Sequence, residues 1–205
     1  MSSRKIKQST DQSEKARIGA IGEYNVVSML MQHGWDAFNA NCSIKNFKSI
    51  DIVCIRKIEY ESSELPIELK TTFIQVKTCK QNNIPIGLTI RQCLNKDYLL
   101  KNVVGPYVFV SVKKEYDQEN DKEYYYSFRY FILSRRQFIE LAYTSHQHYV
   151  FGYKRDKDLN LDSPAGIKVK WLEGKGEEET PNRIAFDNPL SGYKCEDSWD
   201  NIWEE

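Results

Sequence analysis

Apolar residues recur three or four apart in one long stretch and two apart in several short ones, and this change of period divides the chain. From Ser13 to about His33 the positions Ala16, Gly19, Ala20, Val27 and Leu30 recur at helical spacing, and Gly34 supplies the stop. Ahead of that helix, residues 1–10 are polar and basic and read as a flexible arm. Trp35 to Ser43 predicts a first strand, followed by a turn at Lys45 and Asn46. Ser49 to Arg56 and Phe73 to Lys80 are β-rich runs, and the polar excursion from Lys57 to Thr72, with Pro66, reads as a hairpin extension between them.

Ile84 to Leu94 is open, because Pro85 and Gly87 argue against a helix at its start. Tyr98 to Val104 predicts a short helix stopped by Gly105 and Pro106. Tyr107 to Lys113 and Tyr124 to Leu133 predict a hairpin with its turn over Asp117–Lys122. Ser134 and Gln137 have capping-box spacing and start a helix through Ala142. His148–Tyr153 and Ile167–Leu172 read as late strands and Glu173–Asn188 as a loop. Asp197–Glu205 reads as a short amphipathic helix with Trp199, Ile202 and Trp203 on one side, expected to pack on the body. The order predicts an α/β or α+β fold with a mixed β-sheet flanked by helices, an additional C-terminal β-hairpin or strand region, and one domain over residues 1–205.

Four polar residues at three places sit where the pattern asks for apolar ones. Glu23 lies four residues after Gly19 and four before Val27, on the helical stripe, and the small residues Gly19 and Gly22 would let another backbone approach beside it. Asp51 interrupts an apolar strand. Gln75 and Lys77 are two apart on the next strand and so share a face, opposite Ile74, Val76 and Thr78. Buried polar groups are costly without partners, so core packing alone does not account for them. Neighbouring strands would bring Asp51 to Gln75 and Lys77, and a helix on that sheet would add Glu23. Two carboxylates, the Gln75 amide and the Val76 carbonyl make an oxygen donor set suited to Mg²⁺, with Lys77 as a cation beside a phosphate.

Composition narrows the setting. Formal net charge is +0, yet Glu173 to Glu205 holds ten acids and three bases, 3 − 10 = −7, which leaves +7 on the remainder. A basic body with an acidic 173–205 segment is compatible with an anionic partner, and equally with a solvated surface. Five cysteines without Cys-x-x-Cys spacing indicate a reducing, cytoplasmic setting without structural disulfides. Zinc is disfavoured, because His33, His146 and His148 have no cysteine at ligand spacing. No run of about 18 apolar residues predicts a membrane span, and the N-terminus lacks the apolar core of a secretory signal.

The pattern Gly19-x-x-Gly22-Glu23, then Gly34-Trp35, Ser49-Ile50-Asp51-Ile52-Val53 and Ile74-Gln75-Val76-Lys77 resembles the PD-(D/E)XK nuclease superfamily. Gln75 in place of a second acid is similar to the Mrr-type restriction endonuclease branch, and the helical glutamate to archaeal Holliday-junction resolvases. The resemblance spans about Gly19 to Lys80. It implies a restriction endonuclease-like sheet and Mg²⁺- or Mn²⁺-dependent hydrolysis of DNA in restriction, phage defence or repair, with Glu23, Asp51, Gln75 and Lys77 as the site and a homodimer as one assembly. Two other readings stay open: a catalytically inactive nucleic-acid- or protein-binding module on the same fold, and an RNA nuclease. Lower-ranked candidates are Arg135 and Arg136 as phosphate contacts and Lys80, Arg91 and Lys96 along a nucleic-acid groove. His146 and His148 would share a strand face, and the aromatics from Tyr124 to Tyr130 are read as packing before base stacking.

Overall fold

The structure, a computed structural model, describes residues 2–40, 49–58, 68–116, 124–154 and 158–204, with the backbone alone for residues 2–11 and Tyr124. It is mixed α+β. In chain order come α1 (Ser2–Gln32), β1 (Asp36–Asn39), β2 (Ile52–Ile58), β3 (Glu68–Cys79), β4 (Asn83–Thr89), α2 (Ile90–Cys93) and α3 (Lys96–Asn102). Then follow β5 (Tyr107–Tyr116), β6 (Tyr124–Leu133), α4 (Arg135–Phe151), β7 (Pro164–Lys168), α5 (Val169–Leu172) and a C-terminal 3₁₀ helix, Trp199–Trp203. The main sheet has the order β1-β2-β3-β5-β6, and β4 and β7 form a second, two-stranded sheet. Strands β1, β2 and β3 are an antiparallel meander, β5 returns parallel to β3, and β6 pairs antiparallel with β5.

Each face of the main sheet carries its own apolar core. On one side Ile74 and Val76 of β3 and Val108, Val110 and Val112 of β5 pack with Ile18, Val26 and Leu30 of α1 and with Trp199, Ile202 and Trp203. On the other, Tyr107, Phe109, Phe131 and Leu133 meet α2, α3, α4, β4 and β7 through Ile90, Leu99, Phe138, Ile86 and Ile167. The period-2 alternation of β5 and β6 feeds both cores.

Helix α1 begins at Ser2, not near Ser13, so the expected arm is helical; its Lys, Arg and Gln residues are good helix formers. Its buried row is Ile18, Gly22, Val26 and Leu30, while Ala16 and Ala20 of the expected stripe are exposed, because branched side chains gain more than alanines from burial. The helix ends as expected. Gly34 takes φ +79°, and the amides of Gly34 and Trp35 donate to the Met31 and Leu30 carbonyls, a Schellman closure.

Strand β1 spans only Asp36–Asn39 within the expected Trp35–Ser43; the remainder, including the turn at Lys45 and Asn46, lies mostly outside the described residues, as do the Pro66 region and the Asp117–Lys122 turn. The Ser134–Gln137 capping box forms, but α4 continues past Ala142 to Phe151 and absorbs most of the expected strand His148–Tyr153. Its β-branched and aromatic composition is overridden by burial of Phe138, Leu141, Ala142 and Ser145 at helical spacing. Expected strand Ile167–Leu172 divides into the end of β7 and α5. The Glu173–Asn188 loop carries bridges Glu177–Phe186 and Thr180–Arg183. The C-terminal turn packs as expected: Trp203 meets Trp35 edge-on at 5.4 Å, and Trp199 lies 5.4 Å from Tyr130. Among the described residues, no helix is long and apolar enough to cross a membrane.

Candidate active site

The site lies where β2 starts and the middle of β3 runs past it. The Asp51 amide donates to the Ile74 carbonyl, and the Asp51 carbonyl accepts from Ala40 N–H, both at 2.9 Å, which pins the residue between β1 and β3. With Ile52 opposite Ile74, the antiparallel register sets Asp51 opposite Gln75. Ser49, two residues earlier, has φ 69°, a left-handed conformation that costs a non-glycine residue about 1–2 kcal/mol and marks a constrained entry to the strand.

Because β2 has only just begun, Val76 has no strand partner on that side. Its N–H donates to Asp51 Oδ2 at 2.8 Å, and strand geometry turns the Val76 carbonyl toward the same edge. The Gln75 main chain hydrogen-bonds in the other direction, its backbone N–H donating to the Pro106 carbonyl at 3.1 Å. Lys77 Nζ lies 3.8 Å from Asp51 Oδ2, and the two side chains are 21% and 18% exposed, so the pair is largely shielded from solvent. Burial lowers the Lys77 pKa, opposed by the charges of Asp51 and Glu23. The bulge in β4 passes above it: a Cβ on Gly87, which has φ +78°, would lie 3.9 Å from Lys77 Cε.

Glu23 enters from α1. A Cβ on Gly22 would overlap the Thr78 side chain, so that glycine lets α1 settle onto β3, whereas Gly19 faces open space. Glu23 is partly buried, and Asn39 Nδ2 donates to its Oε2 at 2.6 Å. Burial raises the Glu23 pKa, the Asn39 hydrogen bond lowers it, the Asp51 charge raises it and Lys77 lowers it. Glu23, Asp51 and Lys77 therefore share one electrostatic environment, with Gln75 and the Val76 main chain beside them.

Asn39 and Tyr107 also belong to this region and carry no mark in the sequence. Asn39 ends β1 opposite Ile52, one position from Asp51. Tyr107 is the parallel partner of Gln75, is 4% exposed and stacks on Phe138 at 3.5 Å. Burial raises its hydroxyl pKa, and the Asp51 charge raises it further. Both contacts depend on how β1 and β5 dock, which a local pattern does not encode.

Oxygen donors dominate the cluster, and two carboxylates, Asp51 largely shielded and Glu23 partly so, repel each other with one lysine as counter-charge. That donor set fits a hard divalent cation. Among the described residues no group of three or more His, Cys, Asp or Glu side chains gathers to hold a metal, so a cation here would rely on Gln75 and the Val76 carbonyl in addition to the acids.

The structure gives several lower-ranked candidates partners within the fold. Arg135 donates to the Val103 and Leu100 carbonyls and so closes the C-terminal end of α3. Lys80, Arg91 and Lys96 pair with Glu14, Asp162 and Glu140. His146 and His148 lie on α4, not on a strand face; His146 Nδ1 sits 2.7 Å from the Ala142 carbonyl and His148 faces Glu177. Tyr126, Phe128 and Tyr130 pack against the α1-side core. Comparison with family models, with curated proteins and with solved structures gives no match for this chain.

Proposed function

We propose that this protein is a divalent-cation-dependent endonuclease of the PD-(D/E)XK type that hydrolyses DNA phosphodiester bonds in restriction, phage defence or repair. The observation that carries the reading is the placement of Asp51, whose Oδ2 takes the Val76 N–H at 2.8 Å and faces Lys77 Nζ at 3.8 Å, with Glu23 close enough to feel both charges. The succession of a helix, a three-strand antiparallel meander, a crossover and a parallel strand supports a restriction endonuclease-like fold.

Each residue has a task in this reading. Asp51 and Glu23 would hold Mg²⁺ or Mn²⁺ with the Gln75 amide oxygen and the Val76 carbonyl. The bound ion would supply Lewis-acid polarisation of the scissile phosphate and a more acidic water. The Val76 N–H fixes the orientation of Asp51 without consuming its second oxygen. Lys77, held by Asp51 and partly desolvated, offers positive charge where negative charge grows on the phosphate, and such charge is worth most in a site screened from water.

Nicking of supercoiled plasmid, read beside calorimetric Mn²⁺ titration, tests the reading. Wild type nicks with Mg²⁺ or Mn²⁺ and not with chelator; Asp51→Ala loses ion binding and nicking together; Lys77→Ala keeps the ion and loses nicking by about 10²-fold or more. Nicking by Lys77→Ala at the wild-type rate overturns the assignment. A second reading, a binding module on the same fold, is favoured by Gln75, which leaves two carboxylates at the site. It predicts no ion binding at millimolar concentration by wild type.

A further inference from the structure

Among the described residues, Asn39 donates a side-chain hydrogen bond to Glu23, and the electrostatics explain why a holder is needed. Glu23 is a flexible side chain on α1, partly exposed, and the Asp51 charge repels it. Left to itself, such a carboxylate swings toward water, where it regains hydration and loses the repulsion. Asn39 closes β1 one position from Asp51, and its Nδ2 donates to Glu23 Oε2 at 2.6 Å. A carboxylate has about four lone-pair directions, so one bond from a neutral donor leaves others for a cation. A lysine or arginine in this place would also hold Glu23, but its charge would compete with that cation. An amide holds the group without competing.

We propose that Asn39 is a positioning residue, fixing the Glu23 carboxylate toward Asp51 so that both face one divalent cation. This rests on the cation-site reading. The strand end supplies the constraint: Asn39 belongs to β1, α1 packs on that strand, and the hydrogen bond ties the two elements across the edge of the sheet. A fixed rotamer removes ordering entropy that the ion would otherwise have to overcome on binding.

The test uses the full chain, Mn²⁺ as the probe, and two independent readouts. By calorimetry, Asn39→Ala weakens Mn²⁺ binding about tenfold, and Asn39→Gln, which keeps the amide donor, recovers part of the loss. By NMR of the metal-free protein, the Asn39 side-chain amide protons shift when Glu23 is replaced by Ala. Wild-type affinity in Asn39→Ala overturns the proposal while leaving the cation site standing, and so does an Asn39 amide signal indifferent to Glu23→Ala. Absence of Mn²⁺ binding by wild type overturns the cation-site reading and the role of Asn39 with it, and the amide shift then reports the bare contact. If Asn39→Ala fails to fold, Asn39→Gln and Asn39→Ser decide by their order of affinity: Gln above Ser supports the positioning role, equality overturns it.

Discussion

Gly22 and Thr78 meet where α1 crosses β3, and that contact sets the depth of Glu23 in the site. Helix propensity alone would favour alanine over glycine by about 1 kcal/mol. Overlap with the stiff Thr78 side chain opposes it, and Gly22→Ala is expected to destabilise by about 1–2 kcal/mol in denaturant unfolding. In a Thr78→Gly background, which also removes the Thr78 Cβ that lies 2.8 Å from the added methyl, Gly22→Ala should become stabilising; if Gly22→Ala alone stabilises, the close approach is not tight. Glu23 offers a second residue-scale expectation. Its carboxyl pKa is raised, by burial first, so the folded state loses stability as pH rises through the unfolded value toward the folded one. Glu23→Gln should hold or raise the melting temperature at pH 7 while weakening ion binding, the signature of a group kept for function against stability. A marked fall in melting temperature would make Glu23 a structural residue. Gln75→Glu should tighten Mn²⁺ binding, since it adds a ligand charge, and Gln75→Ala should weaken it.

At the scale of elements, two attachments of the C-terminal third can be tested, one among its own elements and one to the α1-side core. Glu177 lies among Lys168 at 2.6 Å, Lys170 at 3.0 Å, and His148 and Arg183 at 3.4 Å, tying the 177–186 turn to β7, α5 and α4. Burial would raise the Glu177 carboxyl, but the two lysines outweigh it and hold the group down to about 2. Because the folded pKa lies below the unfolded one, the contribution is complete above roughly pH 4.5 and fades as pH falls toward 2. Glu177→Gln should cost about 2 kcal/mol at pH 7. The gap from wild type should narrow between pH 5 and pH 2.5, which thermal melts at several pH values would follow. The second attachment is the 3₁₀ helix: truncation after Ser191 removes Trp199, Ile202 and Trp203 from the α1-side core and should lower the melting temperature by about 10 °C or more. An unchanged melting temperature would make that end an interaction segment.

Across the whole molecule, part of the charge asymmetry along the sequence is paired within the fold. Acids of the C-terminal segment meet bases of the body: Glu173 and Glu196 hold Arg129, Glu177 holds Lys168 and Lys170, Glu179 holds Lys154, and Asp200 lies 3.8 Å from Arg56. A net-positive body is therefore a weaker argument for an anionic partner than the sequence count implied. The thiols report on core integrity. Cys54, Cys93 and Cys195 are buried and free, and burial pushes them up to about 12, 12 and 11. They should resist an alkylating reagent at pH 8 in the native protein and react on unfolding, as mass spectrometry of labelled cysteines would show. Rapid native labelling of Cys54 or Cys93 would contradict the packing.

The local pattern was enough for the strands β5 and β6, the Ser134 capping box, the Gly34 stop and the apolar face of Trp199, Ile202 and Trp203, because each depends on neighbours a few residues away. It also marked Glu23, Asp51, Gln75 and Lys77 as polar residues in apolar settings. It misread the extent of α4 and the character of Val169–Leu172, where β-branched and aromatic residues suggest a strand and burial against other elements selects a helix. Tertiary structure alone decided the rest: that β5 lies parallel to β3, that β2 stops short so the Val76 main chain meets Asp51, that Asn39 reaches Glu23, and that Arg135 closes α3. Spacing along a chain fixes which side chains share a face, but which faces meet depends on contacts between residues far apart in sequence, and those exist only once the elements have docked.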